Sequence, residues 1–528
     1  MFILFGRNMG PPALRLVNTF PLPADLAGTS IRVTVGGTTV NAIMIYTSFG
    51  QVAAILPSAT PVGSGTLTLT FNNQTSAAVA FRVGPNRIGI FTRNSAGNGP
   101  GIVQNFNSPT ELPLNTLVEA AQPDQAMILW ATGLGPVSGN EAAGPLPAAQ
   151  PSGVTVEVFV GGKAADVIGF GRSGCCAGID QIAFRVPAGV EGCYVPVAVR
   201  AGGVVSNFTT IAVASSGKIC SDPTKFSIAD LQKVQFPGTL TVAEIALARL
   251  SPKLSLPGLG TLQGNLDFGD GAFRRFNSLG LLGSNRGSLS LSGPAQVPSL
   301  GGCSVSAYRY QDLFDSIGAD VDDPVPLRGL DAGAALNFTG PRGVKQITRH
   351  GESGRFEYHF DDDLLGGGIP GLEPVQPDYL VPGSYTLDNG SGGAEVGAFR
   401  ATLTIPGDPP VWTNQDAISN ISRSQDLTVT WSRGAAGGFV GIIGSAADPR
   451  TGAGAAFTCT ARADAGSFTV PAWVLSALPA SGPSQEGVPV GFLSLAATLP
   501  QPSRFQATGI DVGFFNWVAL QIKNVTFQ

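Results

Sequence analysis

Nucleophilic catalysis needs a base held beside a Ser or Cys, and this chain has two histidines to offer, His350 and His359. They lie nine residues apart on what reads as one hairpin, from Arg349-His350 to Tyr358-His359. No G-x-S-x-G elbow accompanies them. They therefore read as exposed strand or turn histidines, able to hold a metal adventitiously if they face each other. Carboxylates gather in two runs, Asp320, Asp322 and Asp323, and Asp361, Asp362 and Asp363. Calcium needs several oxygens converging from one loop, and neither run has EF-hand spacing or its closing Glu. These six are the calcium candidates, with a solvated acidic turn as the plain alternative. No other cofactor and no catalytic residue is expected. Nothing singles out a glycosidase carboxylate pair. Asp267-Phe-Gly269 matches a kinase triplet by chance, because the Gly-rich loop, strand Lys and His-Arg-Asp are missing. Trp130, Trp412, Trp431, Trp473 and Trp517 are candidates for sugar stacking, and each reads better as core. The sequons at Asn73, Asn207, Asn337, Asn389, Asn420 and Asn524 read as Thr/Ser-rich strand edges.

The six cysteines contain no CxxC pair, which argues against a zinc site. An even count in a Gly/Thr/Ser-rich β chain fits disulfides and an oxidising compartment. Cys175, Cys176, Cys193 and Cys220 cluster. Vicinal cysteines rarely bridge each other, so Cys175 and Cys176 are expected to reach Cys193 and Cys220, in an order left open. Cys303 and Cys459 either pair across domains or stay as thiols.

The elements that position these residues follow from composition. The chain has 528 residues, 43% hydrophobic and 13% charged, with 71 Gly and 40 Pro. That excludes coiled coils, disordered chains and, lacking a strict Gly period, collagen. What remains is an all-β chain of domains joined by Gly/Pro turns. The net charge of −5 and the lack of a basic run exclude a nucleic-acid partner. No apolar run is long enough for a membrane-spanning helix. No signal peptide is visible, and the chain opens on the strand Phe2–Phe5. Such an opening looks truncated, with the export signal expected upstream.

A repeat organises the first part. Copy one runs from Phe5-Gly-Arg-Asn-Met-Gly-Pro11 through Ile31-Arg-Val-Thr-Val-Gly-Gly37 and Gly50-Gln-Val-Ala-Ala-Ile-Leu-Pro57 to Gly65–Phe71. Copy two runs from Ala131-Thr-Gly-Leu-Gly-Pro136 through Val154–Gly162 and Asp180-Gln-Ile-Ala-Phe-Arg-Val-Pro187 to Tyr194–Arg200. Val154, Val156, Val158 and Val160 alternate, so period two buries one face. Gly36-Gly37 and Gly161-Gly162 supply the positive φ of tight hairpins. Pro57 and Pro187, unable to donate to a ladder, end their strands. Each copy reads as an immunoglobulin-like β-sandwich. The expected units are 1–84 and 85–220 as sandwiches, 221–326 as an irregular β-rich module with a short helix capped by Ser227, 327–408 as a sandwich, and 409–528 as a C-terminal sandwich. Pro406-Gly-Asp-Pro-Pro410 reads as a stiff linker.

Residues 1–215 resemble the repeated C-terminal domain of exported acidobacterial proteins, the Solibacter-type family. The carrying residues are RIGIF at 87–91, LWATGLGPVSG at 129–139, VFVGGKAADV at 158–167, DQIAFRVPAGV at 180–190 and GGVVSNFTTIAV at 202–213. The tail segments YLVPGSYTLDNGSGGAEVGAF and VWTNQDAISNISRSQDLTVTW resemble modules accompanying that domain. The resemblance implies IPT/TIG-like immunoglobulin-like folds and export. It carries no activity and no catalytic residues.

The expected function is that of a non-catalytic extracellular or cell-surface structural or adhesion protein. Its expected partners are other copies of itself, joined by strand addition even into a filament, or surface polymers and carbohydrate. The alternatives are a carbohydrate-binding module protein, which predicts a planar row of exposed Trp or Tyr, and an accessory region of a secreted hydrolase, which predicts a carboxylate pair in a cleft.

Overall fold

The computed structural model describes the chain except residues 96, 222–226, 234–237, 257–259, 278–297, 311–327, 355, 360–377, 433, 435–436, 483–489 and 499–502. The fold is all-β, with tandem immunoglobulin-like sandwiches. In the first sandwich we label β1 (Phe2–Phe5), β2 (Thr29–Val35), β3 (Thr38–Asn41), β4 (Ile43–Thr47), β5 (Gln51–Ile55), β6 (Gly63–Phe71) and β7 (Val79–Val83). One sheet orders β1-β5-β4, and the facing sheet orders β7-β6-β2 with β3 paired to β2. In the second we label β8 (Gly89–Ile90), β9 (Val103–Asn105), β10 (Ala126–Thr132), β11 (Val156–Val160), β12 (Lys163–Ala165), β13 (Val167–Arg172), β14 (Asp180–Arg185), β15 (Gly192–Ala201) and β16 (Thr209–Val213).

The two sandwiches repeat in register. Phe5 faces Gln51 and Leu4 faces Val52; Trp130 faces Gln181 and Leu129 faces Ile182. Both copies carry a β-bulge at the same step, between Met44 and Tyr46 and between Val167 and Gly169. Both hairpins turn on Gly-Gly, with φ of 55° and 84° at Gly36-Gly37 and 58° and 83° at Gly161-Gly162. That is the geometry a two-residue turn needs to match strand twist. After the first strand, both turns pass through the left-handed region at one position, Asn8 (φ 56°) and Gly133 (φ 91°). Asn and Gly are the residues that tolerate it.

Beyond residue 220 the architecture departs from the expected boundaries. Ile228–Lys233 forms α1, whose Ser227 hydroxyl accepts the Asp230 amide at 3.0 Å. From there, among the described residues, a 15-stranded sheet runs through the rest of the chain, with two two-stranded sheets beside it, Asn420–Ile421 with Thr526–Phe527 and Leu427–Thr430 with Ser467–Val470. Its centre pairs β17 (Thr239–Leu256) with β18 (Leu266–Asn277) antiparallel and with β19 (Val512–Asn524) parallel, from Val242↔Val512 to Lys253↔Lys523. Residues 221–326, 327–408 and 409–528 therefore share one sheet rather than forming three separate modules. The strands of the 335–405 region extend it beyond β18, and the last of them, Arg400–Ile405, packs back on β19. This curl encloses an aromatic core that includes Phe273, Phe338, Tyr358, Tyr385 and Phe515. On the other side, Phe439–Asp448, Ala453–Arg462 and Gly491–Thr498 extend it beyond β19.

The second sandwich is built onto this sheet. Phe159 stacks on Trp473 with ring centroids 4.1 Å apart, and Phe208 flanks the same ring at 5.6 Å. The first sandwich is tied to the second: Leu22 donates to the Ala142 carbonyl at 2.8 Å, and Ile55 packs under Gly178.

Candidate functional site

The sequence-predicted site residues scatter. His350 faces Glu357 across its hairpin and His359 faces Thr348, so the histidines are not opposite each other. Asp320, Asp322, Asp323, Asp361, Asp362 and Asp363 lie outside the described residues. Among the described residues, no group of three His, Cys, Asp or Glu gathers where a metal could be held. No helix there is long and apolar enough to cross a membrane. Trp412, Trp431, Trp473 and Trp517 are buried, and Trp130 is half-buried with its indole N–H on Gln104 at 2.8 Å.

The cysteines correct one expectation. Cys193 bonds Cys220, Cys303 bonds Cys459 across facing strands, and Cys175 bonds its own neighbour Cys176. The reason is local. The Ser173 hydroxyl donates to the Cys176 carbonyl at 3.0 Å and accepts its amide at 3.2 Å. That tight turn after β13 holds the two vicinal sulfurs together, while Cys193 faces α1 and β17 in a different apolar cluster.

Buried charge is concentrated at the junction of the sandwiches. Arg172, almost buried, pairs with the fully buried Asp180 and reaches Glu141 at 3.2 Å and the Gly135 carbonyl at 2.9 Å. Asp180 accepts the Leu134 amide at 2.9 Å, which pins the turn after β10. Glu141 accepts the Ser58 amide at 2.9 Å from the first sandwich. Burial pushes the Asp180 carboxyl above its ordinary range, against the pull of Arg172. A second buried pair, Arg249 with Asp267, also holds the Leu380 amide at 2.8 Å. The Asp-Phe-Gly triplet is thus a structural anchor. Sequence reasoning missed Glu244 on β17, whose carboxyl is pushed up to about 8 by desolvation, with Arg274 opposing and Asp270 adding. The signal was a lone acid inside the apolar run Val242-Ala-Glu-Ile-Ala-Leu247.

A cleft of about 890 Å³ lies in the first sandwich, opening between the edge strands β1 and β7. Its walls are apolar, among them Phe2, Leu4, Leu67, Leu69 and Phe81. Four arginines line it, Arg7, Arg82, Arg87 and Arg172, and no carboxylate does. Arg172 keeps its Nε without a partner. Arg7, Arg82 and Arg87 are exposed and make no ion pair among the described residues. Its lining side chains offer apolar contact and exposed positive charge.

No family model and no curated protein matches the chain. Solved structures similar to it include the Bacteroides ovatus mixed-linkage glucan utilization locus SGBP-B in complex with a mixed-linkage heptasaccharide, at 10% identity over 79% of this chain and 72% of that one, TM-score 0.12. Domains 4–9 of the surface layer protein SbsC match at 10% identity over 90% and 56%, TM-score 0.13. Sidekick-1 immunoglobulin domains 1–5 match at 9% over 100% and 99%, TM-score 0.11. At these identities and scores they carry no argument about activity, ligand or partner. The fold stands on the strand registers above.

Proposed function

We propose that this chain is a non-catalytic structural protein of the cell surface or extracellular space, acting through the surfaces its β-domains present. The observation that carries the reading is the pairing of all six cysteines into three disulfides. Such bonds form and persist in oxidising compartments. The use of buried charge supports it too. Glu141, Asp180, Asp267 and Lys523 each hold a backbone group or an arginine in place. The resemblance to exported acidobacterial domains agrees with it.

The rival readings have less support. A sugar platform needs a row of exposed Trp or Tyr, yet all five tryptophans and seven tyrosines are buried or half-buried. A hydrolase cleft needs a carboxylate pair, and the cleft described above has no carboxylate on its lining. The test is cell fractionation combined with thiol alkylation of the denatured, unreduced protein. Recovery outside the cytoplasm with no alkylated cysteine is expected. Cytoplasmic recovery with free thiols overturns the proposal.

A further inference from the structure

The pairing of β17 with β19 joins the places where the chain enters and leaves the large sheet. Among the described residues, β17 is the first strand of that sheet in sequence and β19 the last. They run parallel and hold one register from Val242↔Val512 to Lys253↔Lys523 without a bulge. The parallel direction decides how tension acts on them. The chain enters β17 at Thr239, at the Val512 end of the ladder, and leaves β19 at Asn524, at the Lys253 end. With β19 13 residues long, these ends lie about 40 Å apart at roughly 3.3 Å per residue.

Tension between Thr239 and Asn524 therefore runs along the strands. The evenly spaced bonds of a parallel ladder are then loaded together, and none is released until one strand slides past the other. A ladder pulled apart from one end breaks bond by bond instead. Side chains on both faces oppose sliding. Ala243, Ile245 and Leu247 share one core with Phe515 and Trp517, and Val242 shares another with Val512 and Phe514. A slip of one residue re-forms the ladder only by turning these side chains to the opposite face. Each strand is backed on its other side as well. β18 lies along β17 from Thr239↔Asn277 to Leu250↔Leu266, and Gly491–Thr498 lies along β19 from Phe492↔Asn524 to Thr498↔Val518. The Val512 end is pinned by Asp511, which accepts the Thr241 amide at 2.8 Å and the Lys233 ammonium at 2.7 Å. Behind the ladder stands a covalent stop. The buried Cys303–Cys459 bond joins facing strands of the same sheet across a sequence separation of 156.

We infer that the carboxy-terminal unit bears tension: the β17–β19 ladder is a clamp loaded in shear, and the Cys303–Cys459 bond limits how far the chain extends once the clamp opens. The inference rests on the proposed surface role only for the source of the tension. The geometry stands without it.

The experiment stretches single full-length molecules between two handles, introduced as clickable non-natural residues so that the native cysteines stay paired. Handles at the exposed Ser221 and Gln528 load the ladder from opposite ends. Handles at Ser221 and the exposed Gln506, which follows the Ser503–Phe505 strand at the Gly513 end of β19, load it from one end. At equal pulling speed the opposite-end pair is expected to rupture at a force at least about twofold higher, since forced unfolding reads the height of the unfolding barrier. Replacing Cys303 and Cys459 together by Ser should lengthen the fully stretched unit by the 156 residues the bond withholds, about 550 Å at roughly 3.5 Å per residue. Equal rupture forces for the two handle pairs overturn the clamp, a comparison that needs no change to the core. An unchanged stretched length in the cysteine variant overturns the covalent stop. Neither readout depends on the compartment, so a cytoplasmic protein would sink the surface role and leave both force results as they are.

Discussion

The two amino-terminal sandwiches carry the same strands, the same bulge and the same Gly-Gly hairpin, yet one is closed and the other open. The second is sealed along its edge by residues 88–105, bolted by the Arg172–Asp180 pair and docked through Phe159 and Phe208 onto Trp473. The first has none of these. Where Asp180 accepts the turn amide of Leu134, the first sandwich uses uncharged partners: Met9 donates its amide to the Phe49 carbonyl at 3.0 Å and its carbonyl accepts the Thr29 hydroxyl at 3.3 Å. The lesson is that the template specifies strand pairing and register, while closure of the core comes from chain outside it.

Four measurements bear on that contrast, the strongest first. Arg172→Ala leaves Asp180 buried and unpaired and should cost about 3–5 kcal/mol in urea unfolding. Arg7→Ala, on the open cleft, should stay within about 0.5 kcal/mol. Equal losses would break the comparison. Next, the Cys193→Ser and Cys220→Ser pair releases a loop with a sequence separation of 27 and should cost about 3–4 kcal/mol in the second sandwich by chain entropy. Replacing Cys175 and Cys176, adjacent in sequence, should shift the same melting curve little. Third, Leu129→Ala in the sealed core should cost about 2–5 kcal/mol. Leu4→Ala, at the matched position on the cleft, should cost about 1 kcal/mol. A ratio near one would mean that the cleft is filled.

The smallest effect assigns transitions. The Glu244 carboxyl titrates near 8 when folded and near 4.5 when free. The folded state then holds the extra proton between those values, so this group makes stability fall as pH rises from about 4.5 to about 8. Glu244→Gln should flatten that slope and leave the variant more stable than the parent above pH 8. Glu244 lies on β17, so the change should appear in the transition of the large sheet and leave those of the sandwiches in place. Calorimetric scans at pH 5 and pH 9 read it.

Much of the amino-terminal fold was legible because its determinants are local. The alternation of Val154 to Val160, the Gly-Gly turns and the strand-ending Pro57 and Pro187 each report a backbone requirement within a few residues. The bulges were not legible, since one extra residue, Ile45 or Ile168, looks like ordinary strand. The vicinal Cys175–Cys176 bond was misread because the general rarity of such bonds hid a Ser173-held turn. The large sheet was misread for a different reason. Its central pairing joins Val242 to Val512, and nothing near either residue announces a partner so far away. The cleft was also invisible, because an unpaired edge is a statement about what is missing beside a strand, and period two reads the same with or without a neighbour.

That central pairing sets an order of events during synthesis. Both sandwiches are complete by residue 213, so they can fold while the ribosome is still at work. The 18-residue strand at 239–256 cannot gain its parallel neighbour until residue 524 has emerged. For most of the time the carboxy-terminal half is being made, one flank of that strand stands unmated, a template on which foreign strands can grow. Truncations ending before position 512 should be the forms that precipitate.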